Sequence, residues 1–309
     1  MRKTIARLLY GFIGLLILAV LAIAALIGYD FLFPSQRITD FANVTYPGPQ
    51  GTTLNGYLAR PGDGEPGPAL LLIHAFYGLD QDIIQKADLL AQQGYTVLAV
   101  DAFRGQTTRR VPRGIWLVVT TPQDEIRADI DAAYTYLAGL ESVDPQRIGV
   151  VGFCFGGSQA MFLGTRNPDL RATVIFYGGG PITDPAELGF LGESGPVLGI
   201  YGAEDQSIPL EQVSAFEAAM NTRGISNQIS VYPGVGHAFV HADNIAQPGA
   251  AQDAWNEMLT FLSENLGSGV TWDGSGRAQS PDVPGADKRL ATSGFHLSHA
   301  LYHVWSGAR

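Results

Sequence analysis

The stretch Gly152-Phe153-Cys154-Phe155-Gly156-Gly157 decides the fold, because it directly follows the apolar run Arg147-Ile148-Gly149-Val150-Val151. A buried strand, then a nucleophile-type residue with a glycine two positions to either side, then a helix-forming stretch predict a nucleophile elbow. Such a turn strains the backbone of its central residue, so the neighbouring residues must be small. The central residue here is Cys154, the single cysteine of the chain.

A lone buried cysteine is usually a small apolar residue without chemistry. The residues downstream argue against that interpretation. Val197–Gly202 is typical of a strand and is followed by Asp205, and Gln228–Tyr232 is typical of another strand and is followed by His237. A nucleophile, an acid and a histidine, in that order and each just past the end of a strand, are arranged as in an α/β-hydrolase triad.

Three motifs together resemble those of the dienelactone hydrolase family: G-F-C-F-G-G, G-A-E-D-Q-S-I-P and Y-P-G-V-G-H-A-F. The resemblance covers about Gly51 to Leu266. It implies an α/β-hydrolase fold, with Cys154 as nucleophile, Asp205 as the orienting acid and His237 as general base and acid. The expected substrate is a small ester or lactone, and no cofactor or metal is expected.

Attack on a carbonyl produces an oxyanion that needs two hydrogen-bond donors. The residue after the nucleophile supplies one, which is the backbone N–H of Phe155, and the resemblance points to the N–H of Phe76 for the other. The family commonly carries a glutamate that contacts the nucleophile, and the matching position here is Ala75.

The resemblance also suggests which side chains hold the substrate. The family has an arginine four residues after its catalytic histidine, where this chain has His241. A loop is expected after the strand Tyr95–Val100, and we predict that Arg109 and Arg113 in this loop supply the cation. The same loop carries two further candidates, Arg104 and Arg110.

Alternating strands and helices predict the α/β class, with one mostly parallel sheet covered by helices on both faces. Strands such as Ala69–His74 are apolar throughout, which is typical of strands buried on both faces. Two early strands are expected at Ile38–Tyr46 and Thr53–Ala59. The expected helices are Asp80–Gln93, Pro122–Leu140, one from Gly157 onward, Glu211–Asn221 and Gln252–Asn265.

Composition excludes one class of partner. The formal net charge is −10, whereas nucleic-acid binding requires a Lys/Arg surface. The single cysteine rules out an intramolecular disulfide, so cysteine usage says nothing about the compartment.

The N-terminal run Leu8–Tyr29 has no charged residue. As a helix it would be roughly 33 Å long, enough for a hydrocarbon core about 30 Å thick. Arg2, Lys3 and Arg7 precede it, so the positive-inside rule predicts a single-pass anchor in the lipid bilayer, with a cytoplasmic N-terminus and an extracytoplasmic catalytic domain. The alternative is a cleaved signal peptide with a cleavage site at Ala22-Ile23-Ala24.

Four segments follow from these patterns: a basic stub and transmembrane anchor (1–30), a stalk (31–37), an α/β-hydrolase domain (38–266) and a Gly/Ser/Pro-rich tail (267–309). A short helix, Phe295–Trp305, is expected near the end of the tail. It carries His296, His299 and His303 on one face, which we interpret as a solvated or docking face rather than a metal site.

The sequence therefore predicts a membrane-anchored hydrolase of carboxylic ester or lactone bonds that acts through a thioester. Two alternatives remain open. One is a tethered binding module whose catalysis has decayed, which Ala75 favours and the intact triad opposes. The other is a thiol-dependent acyltransferase, in which an acceptor other than water resolves the thioester.

Overall fold

The computed structural model describes residues 2–62, 66–267, 271–272 and 278–279. The chain divides into two units, Met1–Ser268 and Gly269–Arg309. The second unit contributes one antiparallel pair of short strands, Thr271–Trp272 with Ala278–Gln279. The predicted C-terminal helix Phe295–Trp305 lies outside the described residues.

The first unit is built on an eight-stranded sheet with the order β1-β2-β4-β3-β5-β6-β7-β8. Only the β1–β2 and β2–β4 pairs of this sheet are antiparallel. The strands are β1 Val44–Pro47, β2 Thr53–Ala59, β3 Gly67–Ile73, β4 Thr96–Val100, β5 Val143–Phe153, β6 Ala172–Phe176, β7 Val197–Gly202 and β8 Asn227–Tyr232.

Seven helices accompany these strands in the described part of the chain: α1 Arg2–Leu32, α2 Gln81–Gln92, α3 Val111–Thr120, α4 Gln123–Ala138, α5 Phe155–Arg166, α6 Leu210–Thr222 and α7 Ala250–Leu266.

Strand β3 explains why both faces of the sheet are covered. Leu70 and Leu72 belong to one apolar cluster, and Ala69, Leu71 and Ile73 belong to the other. Side chains alternate between the two faces of a strand, so an unbroken apolar run requires a packed layer on each side. The predicted mostly parallel sheet with helices on both faces is confirmed.

The structure differs from the sequence prediction at the first expected strand. Residues Ile38–Asp40 form a 3₁₀ turn, and only Val44–Pro47 is a strand. The Asp40 carboxylate accepts a hydrogen bond from the Arg37 N–H at 3.1 Å, which closes the turn. A side-chain bond to the backbone of this kind competes with strand pairing.

A helix was missed in the segment expected to be a loop. Helix α3 begins at Val111, where Pro112 in the first turn suits a helix start. Arg113 therefore lies on a helix and not in a loop.

The segment predicted to be a stalk also differs, because it packs on the domain. Helix α1 continues through Leu32. Gln36 is buried, and its side-chain amide donates to the Thr108 carbonyl at 3.0 Å and to the Thr107 hydroxyl.

Helix α1 includes a stretch, Arg7–Leu32, that contains an 18-residue window with a mean hydropathy of 2.8 and no residue buried in the protein. By length and composition it is the one candidate membrane span in the part of the chain that the structure describes. An N-terminal signal sequence has the same properties.

Candidate active site

Cys154 lies at a sharp turn between β5 and α5. Its φ of 55° and ψ of −114° belong to a region that residues with a side chain rarely adopt. The Cys154 N–H donates to the Phe176 carbonyl at 2.9 Å, and the Ser158 N–H donates to the Cys154 carbonyl at 3.2 Å. The predicted elbow is therefore present, and β6 and the first turn of α5 hold its strained residue.

Two glycines make this turn sterically feasible. A Cβ on Gly152 would lie 1.9 Å from the Gly156 carbonyl oxygen, and one on Gly156 would lie 2.2 Å from the Ile73 carbonyl oxygen. Backbone atoms cannot give way as a flexible side chain can. The glycines let the start of α5 lie directly against the end of β3, which brings Phe155 beside the loop that carries Phe76.

The three residues predicted to form the triad converge at one edge of the sheet. His237 Nε2 lies 3.0 Å from Cys154 Sγ, and His237 Nδ1 lies 2.7 Å from Asp205 Oδ2. A carboxylate only accepts hydrogen bonds, so Nδ1 carries a proton and Nε2 faces the sulfur. This geometry is suited to proton transfer between the sulfur and the ring.

Asp205 is held by its own turn. Its Oδ1 accepts from the Ser207 N–H at 2.7 Å and from the Ile208 N–H at 3.2 Å. These bonds orient the carboxylate so that Oδ2 faces His237. The side chain is fully buried, which keeps water from competing for it.

Hydrogen bonding to Cys154 raises the pKa of His237 to about 9; the Cys154 charge and Asp205 also raise it, and burial opposes them. The imidazolium is thus favoured beside the sulfur at neutral pH. The N-terminus of α5 adds its positive dipole end at Cys154. Both features favour a thiolate, which is the attacking form of cysteine.

The loop that carries His237 is anchored at Val240. The Val240 carbonyl accepts from Lys86 Nζ at 3.0 Å and from the Tyr177 hydroxyl at 3.3 Å. The Tyr177 ring also meets the His237 ring edge-on, with 5.2 Å between centroids. The Tyr177 ring therefore packs against one side of the imidazole, and the backbone at Val240, three residues after His237, is held in place.

Helix α2 provides a second hold on the same loop. Asp82 Oδ1 accepts from the Ala242 N–H at 2.7 Å, and Asp82 Oδ2 pairs with Lys86. Lys86 is 2% exposed and lies 4.2 Å from the centroid of the Phe153 ring. Burial lowers the pKa of Lys86, and Asp82 opposes that shift.

The Phe76 N–H is oriented by the residue before it. His74 Nε2 accepts from the Ala102 N–H at 3.1 Å, so His74 Nδ1 carries the proton and donates to the Ala75 carbonyl at 2.6 Å. The pKa of His74 is lowered to about 4, mainly by burial, which keeps this neutral tautomer. In a trans peptide the N–H points opposite to the carbonyl, so the Phe76 N–H points away from His74.

The three predicted substrate-binding residues lie in different surroundings. Arg109 is exposed, and its Nε lies 3.3 Å from Gln36 Oε1. Arg113 is buried and donates to Gln106 at 2.5 Å. The His241 side chain is exposed.

The other two candidate arginines after strand β4 form ion pairs with carboxylates. Arg104 pairs with Asp129 at 2.7 Å, and Arg110 pairs with Asp30 at 3.0 Å.

Arg109 lines a cleft that also contains a tyrosine. This cleft has a volume of about 310 Å³, and its lining includes Tyr77 and Asp80. Burial, then Asp80, then Cys154 raise the pKa of Tyr77. Arg113 lines a separate cleft of about 360 Å³ near the end of α1.

Within the described ranges, no group of three or more His, Cys, Asp or Glu side chains is arranged to hold a metal ion. The C-terminal histidines His296, His299 and His303 lie outside those ranges.

Sequence reasoning missed the residues that support His237. Lys86 and Asp82 are four positions apart on a helix, which usually indicates a solvent-exposed pair. Tyr177 follows an apolar strand and gives no sign of its contact with the histidine. The one available signal was the isolated lysine in a chain with few lysines.

The model of the dienelactone hydrolase family matches residues 54–266. A protein of Methylorubrum extorquens named as a carboxymethylenebutenolidase is 31% identical over 235 residues, which is 70% of this chain and 78% of that protein. A Bradyrhizobium protein named as a probable 2-oxo-3-(5-oxofuran-2-ylidene)propanoate lactonase is 31% identical, over 71% of this chain and 92% of its own.

A solved structure from Klebsiella pneumoniae, described as a dienelactone hydrolase, superposes with a TM-score of 0.62 at 29% identity. The match covers 72% of this chain and 98% of that one. The predicted α/β-hydrolase fold is thereby confirmed, and the N-terminal helix lies outside the residues that the family model matches.

Proposed function

Because the chain belongs to the dienelactone hydrolase family, we propose that it hydrolyses carboxylic ester or lactone bonds through a Cys154–His237–Asp205 triad. The observation that carries this proposal is the chain of two short contacts, 3.0 Å from sulfur to imidazole and 2.7 Å from imidazole to carboxylate. An inert core cysteine has no need of an oriented histidine.

In the acylation step, the Cys154 thiolate attacks the carbonyl carbon and forms a tetrahedral oxyanion. The backbone N–H groups of Phe155 and Phe76 stabilise that charge. As the intermediate collapses, the C–O bond breaks, and the His237 imidazolium gives its Nε2 proton to the leaving alkoxide. The product is a thioester on Cys154, with neutral His237.

In the deacylation step, neutral His237 takes a proton from water while the water oxygen attacks the thioester carbonyl. The C–S bond then breaks, the acid leaves, and the thiolate–imidazolium pair is restored. Asp205 holds the Nδ1 proton in both steps and stabilises the imidazolium. No metal or cofactor is required for this sequence.

The relatives' names suggest small lactones as the first substrates to examine. The compounds in those names, a carboxymethylenebutenolide and an oxofuranylidene propanoate, each carry a carboxylate as well as a lactone. Arg109, which lines the cleft with Tyr77, is the cation we propose for such a carboxylate. His241 takes the place of the family arginine, and an imidazole lacks the planar fork of donors with which a guanidinium holds a carboxylate.

A panel of activated esters and lactones, tested on the full chain in detergent, examines the proposal directly. Cys154→Ala and His237→Ala should each lower kcat by at least about 10³-fold. Thr222→Ala, at the exposed end of α6, is the matched control and should keep the wild-type rate. Wild-type rates in Cys154→Ala would mean that the chemistry lies elsewhere.

The proposal includes a location at a membrane. Helix α1 supplies a candidate span, Arg7–Leu32, and the basic residues before it favour an N-terminus in the cytoplasm and a hydrolase domain outside. Protease added to intact spheroplasts should digest the domain, and a sealed cytoplasmic marker protein should survive. Complete protection of the domain would contradict this orientation, and a shortened mature chain would indicate a cleaved signal.

A further inference from the structure

Helix α3 has an outer face made of apolar side chains. Val111, Ile115, Trp116 and Val119 are exposed by 48%, 54%, 48% and 76% respectively. On an α-helix these positions fall within one half of the circumference. The outer face of a helix on a soluble domain is normally polar. We call these four residues the α3 face.

The inner side of the same helix is fixed to the domain. Leu117 is 1% exposed. A Cβ on Gly114 would lie 2.3 Å from the Phe76 ring, so the helix lies directly against the loop that carries Phe76. The exposure of the α3 face therefore does not come from a loosely attached helix.

The end of α1 meets α3. The Arg110 guanidinium lies 4.9 Å from the Tyr29 ring centroid, and that of Arg113 lies 5.0 Å from the Phe31 ring centroid. Asp30, 3% exposed, pairs with Arg110 at 3.0 Å. The last turns of the candidate span are thus joined to the start of α3 by charged and aromatic contacts.

These contacts bring the exposed apolar end of α1 to the start of α3, the helix that carries the α3 face. Phe31, Leu32 and Phe33 are exposed by 66%, 73% and 60% at the end of α1. If α1 crosses a bilayer, the residues that follow it lie at the membrane surface, and the adjoining α3 face lies at that same level. Tryptophan favours this region because its ring is apolar and its N–H is polar.

We propose that the α3 face lies in the interface of the lipid bilayer, beside the end of the α1 span. This inference rests on the membrane anchoring in the proposed function. Its grounds are the contacts between the end of the span and the start of α3, and the absence of charge among the four residues of the α3 face. Apolar area buried in the interface would hold the domain flat on the membrane. The Phe76 loop, which packs under α3, would then lie close to the lipid surface.

Fluorescence quenching in lipid tests the proposal on the full chain. The protein is reconstituted in phosphatidylcholine vesicles with or without bromines on the acyl chains, and flotation first establishes whether it binds them. Brominated lipid should quench tryptophan emission, and Trp116→Phe should remove most of that quenching. Trp255→Phe is the matched control, because Trp255 is 5% exposed inside the domain and should not account for the quenching.

A second variant tests the rest of the α3 face without altering the reporter. Val119→Glu puts a charge in the proposed interface and should reduce the lipid quenching of Trp116. Val231→Glu, at a 42% exposed position on β8, should leave it unchanged. Activity toward a water-soluble ester reports that both variants are folded.

The outcomes separate this inference from the anchor. A chain that floats but shows equal quenching in wild type and Trp116→Phe overturns the α3 proposal and leaves the anchor intact. A chain that does not float contradicts the anchor and this inference with it. A third outcome would assign the α3 face to a second copy of the chain. In that case Trp116→Cys, made in a Cys154→Ala background, forms disulfide-linked dimers, and lipid does not quench Trp116 in the wild type.

Discussion

Replacing Lys86 with methionine should slow catalysis, because Lys86 holds the loop of His237 without touching the reacting atoms. The change keeps most of the apolar stem and removes the ammonium. It abolishes the 3.0 Å bond from Nζ to the Val240 carbonyl and the pairing with Asp82. We therefore treat Lys86 as a positioning residue.

The cost in stability is the difference of two effects. A hydrogen bond from a charged group contributes about 1.5–3 kcal/mol. Removing a buried ammonium relieves a desolvation penalty, the 36% exposed Asp82 side chain can regain water, and Tyr177 still donates to Val240. We expect a net loss of about 1–2 kcal/mol in the free energy of unfolding, below the 3–5 kcal/mol of a fully buried broken pair.

Urea denaturation measures the stability, and steady-state kinetics with a water-soluble p-nitrophenyl ester measure the positioning. At a temperature where both proteins are folded, kcat should fall about tenfold while KM changes by less than about twofold, because small displacements of a general base are costly. Arg147→Met, which breaks the surface pair with Asp144, is the matched control and should leave kcat unchanged. A destabilised Lys86→Met with wild-type kcat would refute the positioning role.

Three further changes have defined outcomes. Asp205→Asn should move the alkaline limb of kcat/KM below its wild-type position near pH 9, because Asp205 helps to raise the pKa of His237; an unmoved limb would exclude this role. In the wild type, the raised pKa of His237 should contribute fully to the free energy of unfolding below about pH 6.5. That contribution should disappear as the pH rises through about 9. Cys154→Ser should hydrolyse activated esters only weakly, since a hydroxyl lacks the low pKa of a thiol, and a wild-type rate would contradict thiolate attack. Gly156→Ala should lower the free energy of unfolding, measured by urea denaturation, by about 1–3 kcal/mol or more. Gly179→Ala, whose Cβ would meet Ser158 Oγ at 3.9 Å, should lower it much less. Equal losses would refute the argument that Gly156 is required by close packing.

Local sequence signals predicted the elements that position the chemistry. The strands Thr53–Ala59 and Val197–Gly202 have the expected bounds. The second is an apolar run, and turn-rich segments flank both, which indicates strands. The elbow at Cys154 was also predictable, because its glycine pattern lies within a few residues and a Cβ on Gly152 would meet the Gly156 carbonyl oxygen. The contact that requires Gly156, with the Ile73 carbonyl oxygen, is distant in the sequence.

The convergence of Cys154, Asp205 and His237 depended on a non-local argument. Residues at the carboxyl ends of parallel strands meet at one edge of the sheet. Once the parallel sheet was predicted, the three positions followed as neighbours. Their catalytic roles stay a prediction until activity is measured.

Tertiary contacts explain what sequence analysis missed. Helix α3 is apolar on its outer face as well as its inner one, so it lacks the polar stripe that identifies a surface helix. The segment 31–37 gave no sign that Gln36 is buried under Thr107 and Thr108. The burial of Lys86 depends on a loop more than 150 positions away, which local patterns cannot reveal.

The most direct test of the central claim is to trap the acyl-enzyme. The full chain is mixed with an activated ester, quenched in acid on the millisecond-to-second timescale, digested and analysed by mass spectrometry. The thioester mechanism predicts one acyl group per chain on the peptide that contains Cys154, removable by hydroxylamine and absent in Cys154→Ala. Any acyl group that forms in His237→Ala should have a longer lifetime. Sustained turnover with no adduct on Cys154 at any time, together with a wild-type rate in Cys154→Ala, would contradict this mechanism.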